Sequence, residues 1–102
     1  MRFYIQGFFD AEGGVPRNPM SSKLYISFTQ RNRESLEFLR NKLYSEWNIV
    51  SGRLRISDNR SHCWRFTIAG LGSIKRFMTE IGTEHPSKER RFTIISNLLK
   101  GW

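Results

Sequence analysis

The chain has 102 residues, 38% of them apolar, which suits one domain with one core rather than a disordered segment. Seventeen Lys and Arg against nine Asp and Glu leave a formal charge of +8, which points to an anionic partner, either nucleic acid or an acidic membrane surface. Cys63 is the single cysteine, so an intramolecular disulfide is excluded, and no Cys/His group has zinc spacing.

Residues 3–12 read as a short apolar helix, closed by Gly13-Gly14 as a C-terminal cap. Asp10 and Glu12 interrupt the apolar stretch, so it is not a signal peptide, and no apolar run approaches the roughly 18 residues of a membrane span. An intracellular protein, in a prokaryotic cytoplasm or an organelle, is the expectation. The helix ending is electrostatically unfavourable. A helix C-terminus carries partial negative charge, and Asp10 and Glu12 add two carboxylates there. A positive group beyond the helix end would account for them, and a divalent cation takes oxygen ligands of this kind. An isolated Asp-x-Glu is more often a pair of surface acids. Gly7 and Ala11, at i and i+4, put two small residues on one face, where another backbone can approach closely.

Pro16 and Pro19 allow at most a short edge strand within residues 14–22. Residues 23–31 alternate, with Leu24, Ile26 and Phe28 on one face. Asn32 is placed as an N-cap, and Leu36, Leu39, Leu43 and Trp47 form a helical stripe behind it. Residues 50–57 and 62–68 alternate around the turn at 58–61 and read as a hairpin. Leu54 and Ile56 fall on one side of the first strand, and Trp64, Phe66 and Ile68 on one side of the second. Residues 72–81 form a third helix, and Pro86 opens a fourth.

The order predicts an α+β fold, αββαββαα, as a single domain over 1–102, with one antiparallel sheet covered by helices on its apolar face. The other face gathers Lys23, Tyr25, Ser27, Thr29, Arg53, Arg55, Ser57, Arg65 and Thr67 without a carboxylate. Arg17, Arg31 and Arg60 flank the same strands. A solvated face usually mixes both signs. Here the acids lie elsewhere, so these twelve residues are the candidate contacts to nucleic acid, Arg for guanine edges and phosphates, Ser and Thr for either. No amphipathic helix concentrates basic residues strongly enough to prefer lipid.

Three segments in order carry a family resemblance. Ile5 to Gly13 resembles the nine-residue motif of the LAGLIDADG homing endonucleases, with Gly7, Asp10, Ala11 and Gly13 in register and Glu12 as the second acid. Leu24 to Asn32 resembles the family's second strand, which commonly ends in Gln, here Gln30. Ile81-Gly82 through Pro86 and Lys88 resembles its Ile-Gly…Pro-x-Lys stretch. Glu34 departs from the pattern, standing where some members carry a basic residue.

The resemblance implies a saddle-shaped sheet in the DNA major groove and two motif helices side by side. By residue, it implies Glu12 as ligand to Mg²⁺ or Mn²⁺, with the Ala11 main-chain oxygen as a helper. Gln30 and Lys88 would sit near the cleavage centre, with Asp10 as a supporting acid. With one motif per chain, it implies a homodimer packed through Ile5, Gly7, Phe8, Asp10 and Ala11. The function it implies is cleavage of both strands of a palindromic or pseudo-palindromic double-stranded DNA site. Two alternatives stand beside it. One is a non-cleaving nucleic-acid-binding relative, an intron RNA maturase or a DNA-binding regulator. The other is one half of a two-motif endonuclease.

Overall fold

The computed structural model describes residues 1–16, 23–58 and 62–100. Its elements run α1 (Arg2–Glu12), β1 (Gly13–Gly14), β2 (Ile26–Gln30), α2 (Arg33–Trp47), β3 (Arg55–Asp58), β4 (Cys63–Ile68), α3 (Leu71–Glu80) and α4 (Pro86–Lys100). This is the αββαββαα order that the hydrophobic periodicity predicts. All strand pairs are antiparallel and the sheet order is β1-β2-β4-β3, so the two hairpins join through β2 and β4.

Local chemistry explains most of the boundaries. The Asn32 side chain accepts from Ser35 N at 3.2 Å and starts α2. Asn48 ends it in the left-handed region at φ 55°, which Asn tolerates better than most side chains. Leu36, Leu39 and Leu43 bury the stripe of α2 against β2 and β4. The centre of the core is aromatic. Phe9 of α1 packs on Phe28 of β2, Phe77 of α3 and Phe92 of α4 with ring centres 5.1–5.7 Å apart. Phe28 in turn stacks on Phe66 of β4 at 5.0 Å.

Gly13 caps α1 as expected, its N–H donating to Phe9 O, though not in the left-handed conformation usual for a cap glycine. Gly13 is extended, at φ −87° and ψ 167°, and both residues pair with β2, Gly13 opposite Phe28 and Gly14 opposite Ser27. Their smallness serves close approach: a Cβ on Gly13 would lie 2.7 Å from the Phe9 carbonyl oxygen, and one on Gly14 2.9 Å from Ser27 Oγ. Ile56, expected in the core, is 57% exposed. It lies on β3, one of the two edge strands, whereas α2 covers β2 and β4. The proline-containing segment expected as an edge strand lies mostly at 17–22, outside the described residues.

Candidate active site

The cation that the end of α1 calls for comes from within the chain. No basic residue lies in the last turn of α1. Instead Lys88, in the first turn of α4, donates from Nζ to the carbonyl oxygens of Phe9 at 2.6 Å and Asp10 at 2.9 Å. Its Nζ also sits 4.8 Å from the centre of the Phe9 ring. Lys88 is 8% exposed. Burial pushes its pKa below the ordinary lysine value, the Asp10 carboxylate pulls it back up, and Arg91 pushes it down. Lys88 thus serves as a long-range cap on the negative end of a helix.

Asp10 is also committed. Its Oδ1 accepts from the Thr83 hydroxyl and its Oδ2 from Glu84 N at 3.0 Å. Thr83 Oγ1 accepts in turn from His85 N at 3.1 Å. One turn earlier, the buried Gln6 donates from Nε2 to Ile81 O at 2.9 Å. The linker between α3 and α4 is therefore tied to α1 at Gln6 and Asp10, and the first turn of α4 at the Phe9 and Asp10 carbonyls. Gly82 makes the bend at φ 70°, a conformation that suits glycine.

Glu12 stands apart from this network. It is exposed and has no hydrogen bond or ion pair among the described residues. It directly precedes Gly13, the partner of Phe28, so it lies toward the Thr29–Gln30 end of β2. Gln30 is half-buried and its Oε1 accepts from Arg31 N at 2.7 Å. Among the described residues no three His, Cys, Asp or Glu side chains come together as a metal cage. At the end of α1, one chain therefore presents one carboxylate without a partner among the described residues.

The exposed side of α1 carries Phe3, Gly7 and Ala11 at spacings of four, with Tyr4 alongside. A Cβ on Gly7 would meet nothing within 4 Å. Tyr4 packs edge-on against the exposed Phe38 of α2, ring centres 6.4 Å apart. Ile5 leaves the set expected at a contact between copies, because it is wholly buried in the core of its own chain. Phe8 is half-buried against Phe28, ring centres 6.0 Å apart. Nothing in the sequence singles out Phe3 or Gln6: Phe3 sits among other apolar residues, and the partner of Gln6 is 75 positions away.

On the outer face of the sheet the register sets residues in rows. Thr29, Arg65 and Arg55 form one row across β2, β4 and β3, and Ser27 pairs with Thr67 in the next. Lys23, Arg31, Arg53, Arg55 and Ser57 are exposed, and Tyr25, Thr29, Arg65 and Thr67 are half-buried. Ser27, expected on the open face, is 6% exposed and donates to Gly14 O at 3.4 Å, so it supports the sheet more than it presents a contact. Arg17 and Arg60 lie outside the described residues. Arg53, Arg55, Ser57, Arg65 and Thr67 line an open trough of about 640 Å³. No helix among the described residues is long and apolar enough to cross a membrane.

Comparison with known proteins agrees with this architecture. The chain is 36% identical over 88 residues to homing endonuclease I-ApeI of Aeropyrum pernix, which covers 86% of this chain and 37% of that protein. It thus spans little more than a third of that relative. Its fold is similar to the archaeal intron-encoded homing endonuclease I-Vdi141I, solved in complex with DNA, at TM-score 0.65 and 21% identity over 98% of this chain and 67% of that one. It is also similar to full-length DUF199/WhiA from Thermatoga maritima, at TM-score 0.67 and 20% identity over 91% of this chain and 31% of that one. The family model of the LAGLIDADG-like domain matches residues 1–82, the span from the α1 motif to the bend at Gly82. The chain belongs to the LAGLIDADG family.

Proposed function

We propose that two copies of this chain form a divalent-metal-dependent endonuclease that hydrolyses a phosphodiester in each strand of a palindromic or pseudo-palindromic DNA site. The observation that carries this reading is the division of labour at the end of α1. Asp10 and Lys88 are both engaged within the chain, while Glu12 is exposed beside them and has no partner among the described residues. A free carboxylate next to a helix end is a donor suited to a hard cation. A single one is too few, so the residues fit a metal only when two copies bring their Glu12 side chains together.

The side of α1 that includes Gly7 and Ala11 supports such a meeting, because it is exposed and sterically open. Two-fold symmetry between the helices would place the two carboxylates near the axis and the two basic sheet faces on either side. A bound Mg²⁺ or Mn²⁺ would supply Lewis-acid stabilisation of the phosphate and an activated water. Lys88 would hold the helix end that aims Glu12 and add positive charge close to the scissile group. Gln30, at the end of β2 toward Glu12, would orient water through its amide. The +8 charge and the exposed arginines would hold the duplex.

The test is cleavage of a library of palindromic sites in Mg²⁺. The wild-type protein is expected to cut, and Glu12→Gln to bind the same sites without cutting. Cutting by Glu12→Gln at a near wild-type rate overturns the assignment. A second reading, a nucleic-acid-binding module that does not cleave, has its own support. Each chain offers one free carboxylate at the end of α1 and no complete metal cage among the described residues. Binding without cleavage by the wild-type protein, in Mg²⁺ and in Mn²⁺, would favour it.

A further inference from the structure

Arg65 occupies an unusual position on the outer face of the sheet. It stands on β4, an inner strand, between Thr29 of β2 and Arg55 of β3. Its guanidinium carbon lies 5.5 Å from the centre of the Tyr25 ring. Tyr25 is four residues before Thr29, about 13 Å back along the strand. The Arg65 side chain and the Tyr25 ring therefore approach each other along the sheet, beside the Ser27–Thr67 pair, and Ser27 is almost wholly covered. The Nε of Arg65 is buried with no acceptor. The ion pair found among the described residues, Arg33 with Glu37, involves neither Arg65 nor Arg55. Like charges directly opposite one another destabilise a strand pair. This pair stands without a described carboxylate to offset it, which suits a surface that meets an acceptor-rich ligand.

The sheet order separates the arginines by task. Four strands about 4.8 Å apart span roughly 14 Å, and a DNA major groove is about 12 Å wide. Inner strands then face the groove floor, where base edges lie. The edge strand β3 lies toward a wall, where phosphates lie. Stacking on an aromatic face restricts a guanidinium fork, and the paired contact of such a fork with guanine O6 and N7 is the commonest specific contact of arginine. We propose that Arg65, backed by Tyr25, reads one guanine at a fixed position of each half-site, while Arg53 and Arg55 hold phosphates. The assignment rests on the DNA reading above.

The experiment uses the full chain in chelator, so that no strand is cut, to select duplexes from a library randomised across a symmetric site. The wild-type protein is expected to prefer guanine on the order of tenfold at one symmetry-related position. Arg65→Gln should flatten that position alone. Arg65→Lys, which keeps the charge and most of the stem, should flatten it too, and thermal melting checks that both variants fold. Arg55→Gln should keep the preference and reduce the logarithmic salt slope of binding by about 2, one phosphate for each of the two copies. Unchanged base preferences in both Arg65 variants overturn the assignment while leaving the DNA reading intact. Loss of the same guanine preference in Arg55→Gln overturns it as well. Failure of the wild-type protein to bind any duplex at low salt overturns the DNA reading and this assignment together.

Discussion

Lys88 and Phe9 are 79 positions apart in sequence, yet the Lys88 ammonium sits 2.6 Å from the Phe9 carbonyl oxygen and closes the last turn of α1. That contact sets the first prediction. Lys88→Met keeps the apolar stem but removes a donor from the Phe9 and Asp10 carbonyls, at a cost of about 2 kcal/mol measured by urea unfolding. The pH dependence has a definite sign. In the folded chain the Lys88 pKa lies below its ordinary value of 10.5, so the unfolded chain binds more protons between those two values. Wild-type stability relative to Lys88→Met should rise with pH across that window. The neutral amine still has donors for both carbonyls. A gap that shrinks there would contradict the account.

The Asp10–Thr83 contact gives the second. Asp10→Ala should destabilise by about 1–3 kcal/mol because Thr83 and Glu84 N both lose their acceptor. Thr83→Val should cost less, about 1 kcal/mol. The double variant should fall short of the sum by at least about 0.5 kcal/mol in a double-mutant cycle. Additive effects would show that the two groups do not act together.

Glycine substitutions in α1 and β1 should move in opposite directions. Gly7→Ala meets open space in one chain and gains helix propensity, so the folded chain should be more stable by about 0.5–1 kcal/mol. Gly7→Leu also fits the single chain, but if two copies meet along α1 as proposed, its bulk should prevent association, read as monomers by analytical ultracentrifugation, and with it the proposed cutting. Gly13→Ala should destabilise by about 1–3 kcal/mol through crowding against the Phe9 carbonyl.

Much of this architecture was legible in the sequence because the apolar spacing was unambiguous. The alternation of Leu24, Ile26 and Phe28 and the stripe of Leu36, Leu39 and Leu43 each admit one face toward a core. Alternation does not say whether that face is covered, which is why Ile56 reads as core yet lies open on an outer strand. The backbone conformation at Gly13-Gly14 is undecided in the sequence for a related reason. Glycine after a helix serves equally for a left-handed turn and for close packing, and only the position of Phe9 decides between them. The residue types at the candidate site were visible, but their partners were not. Lys88, Asp10 and Gln6 make contacts spanning 73–79 residues, and no local pattern encodes such a contact.

Glu12 ends α1 and Gly13 begins β1 with no residue between them. Helix and sheet edge therefore follow one another directly, and the pairing of Gly13 with Phe28 and Gly14 with Ser27 ties the joint to β2. If two chains meet along α1, the separation of their basic faces is fixed by that joint, as by a ruler, and so is the spacing between the halves of any symmetric duplex they grip. One residue inserted between Glu12 and Gly13 would shift the carboxylate relative to both faces at once. Spacing and chemistry could then be changed only together.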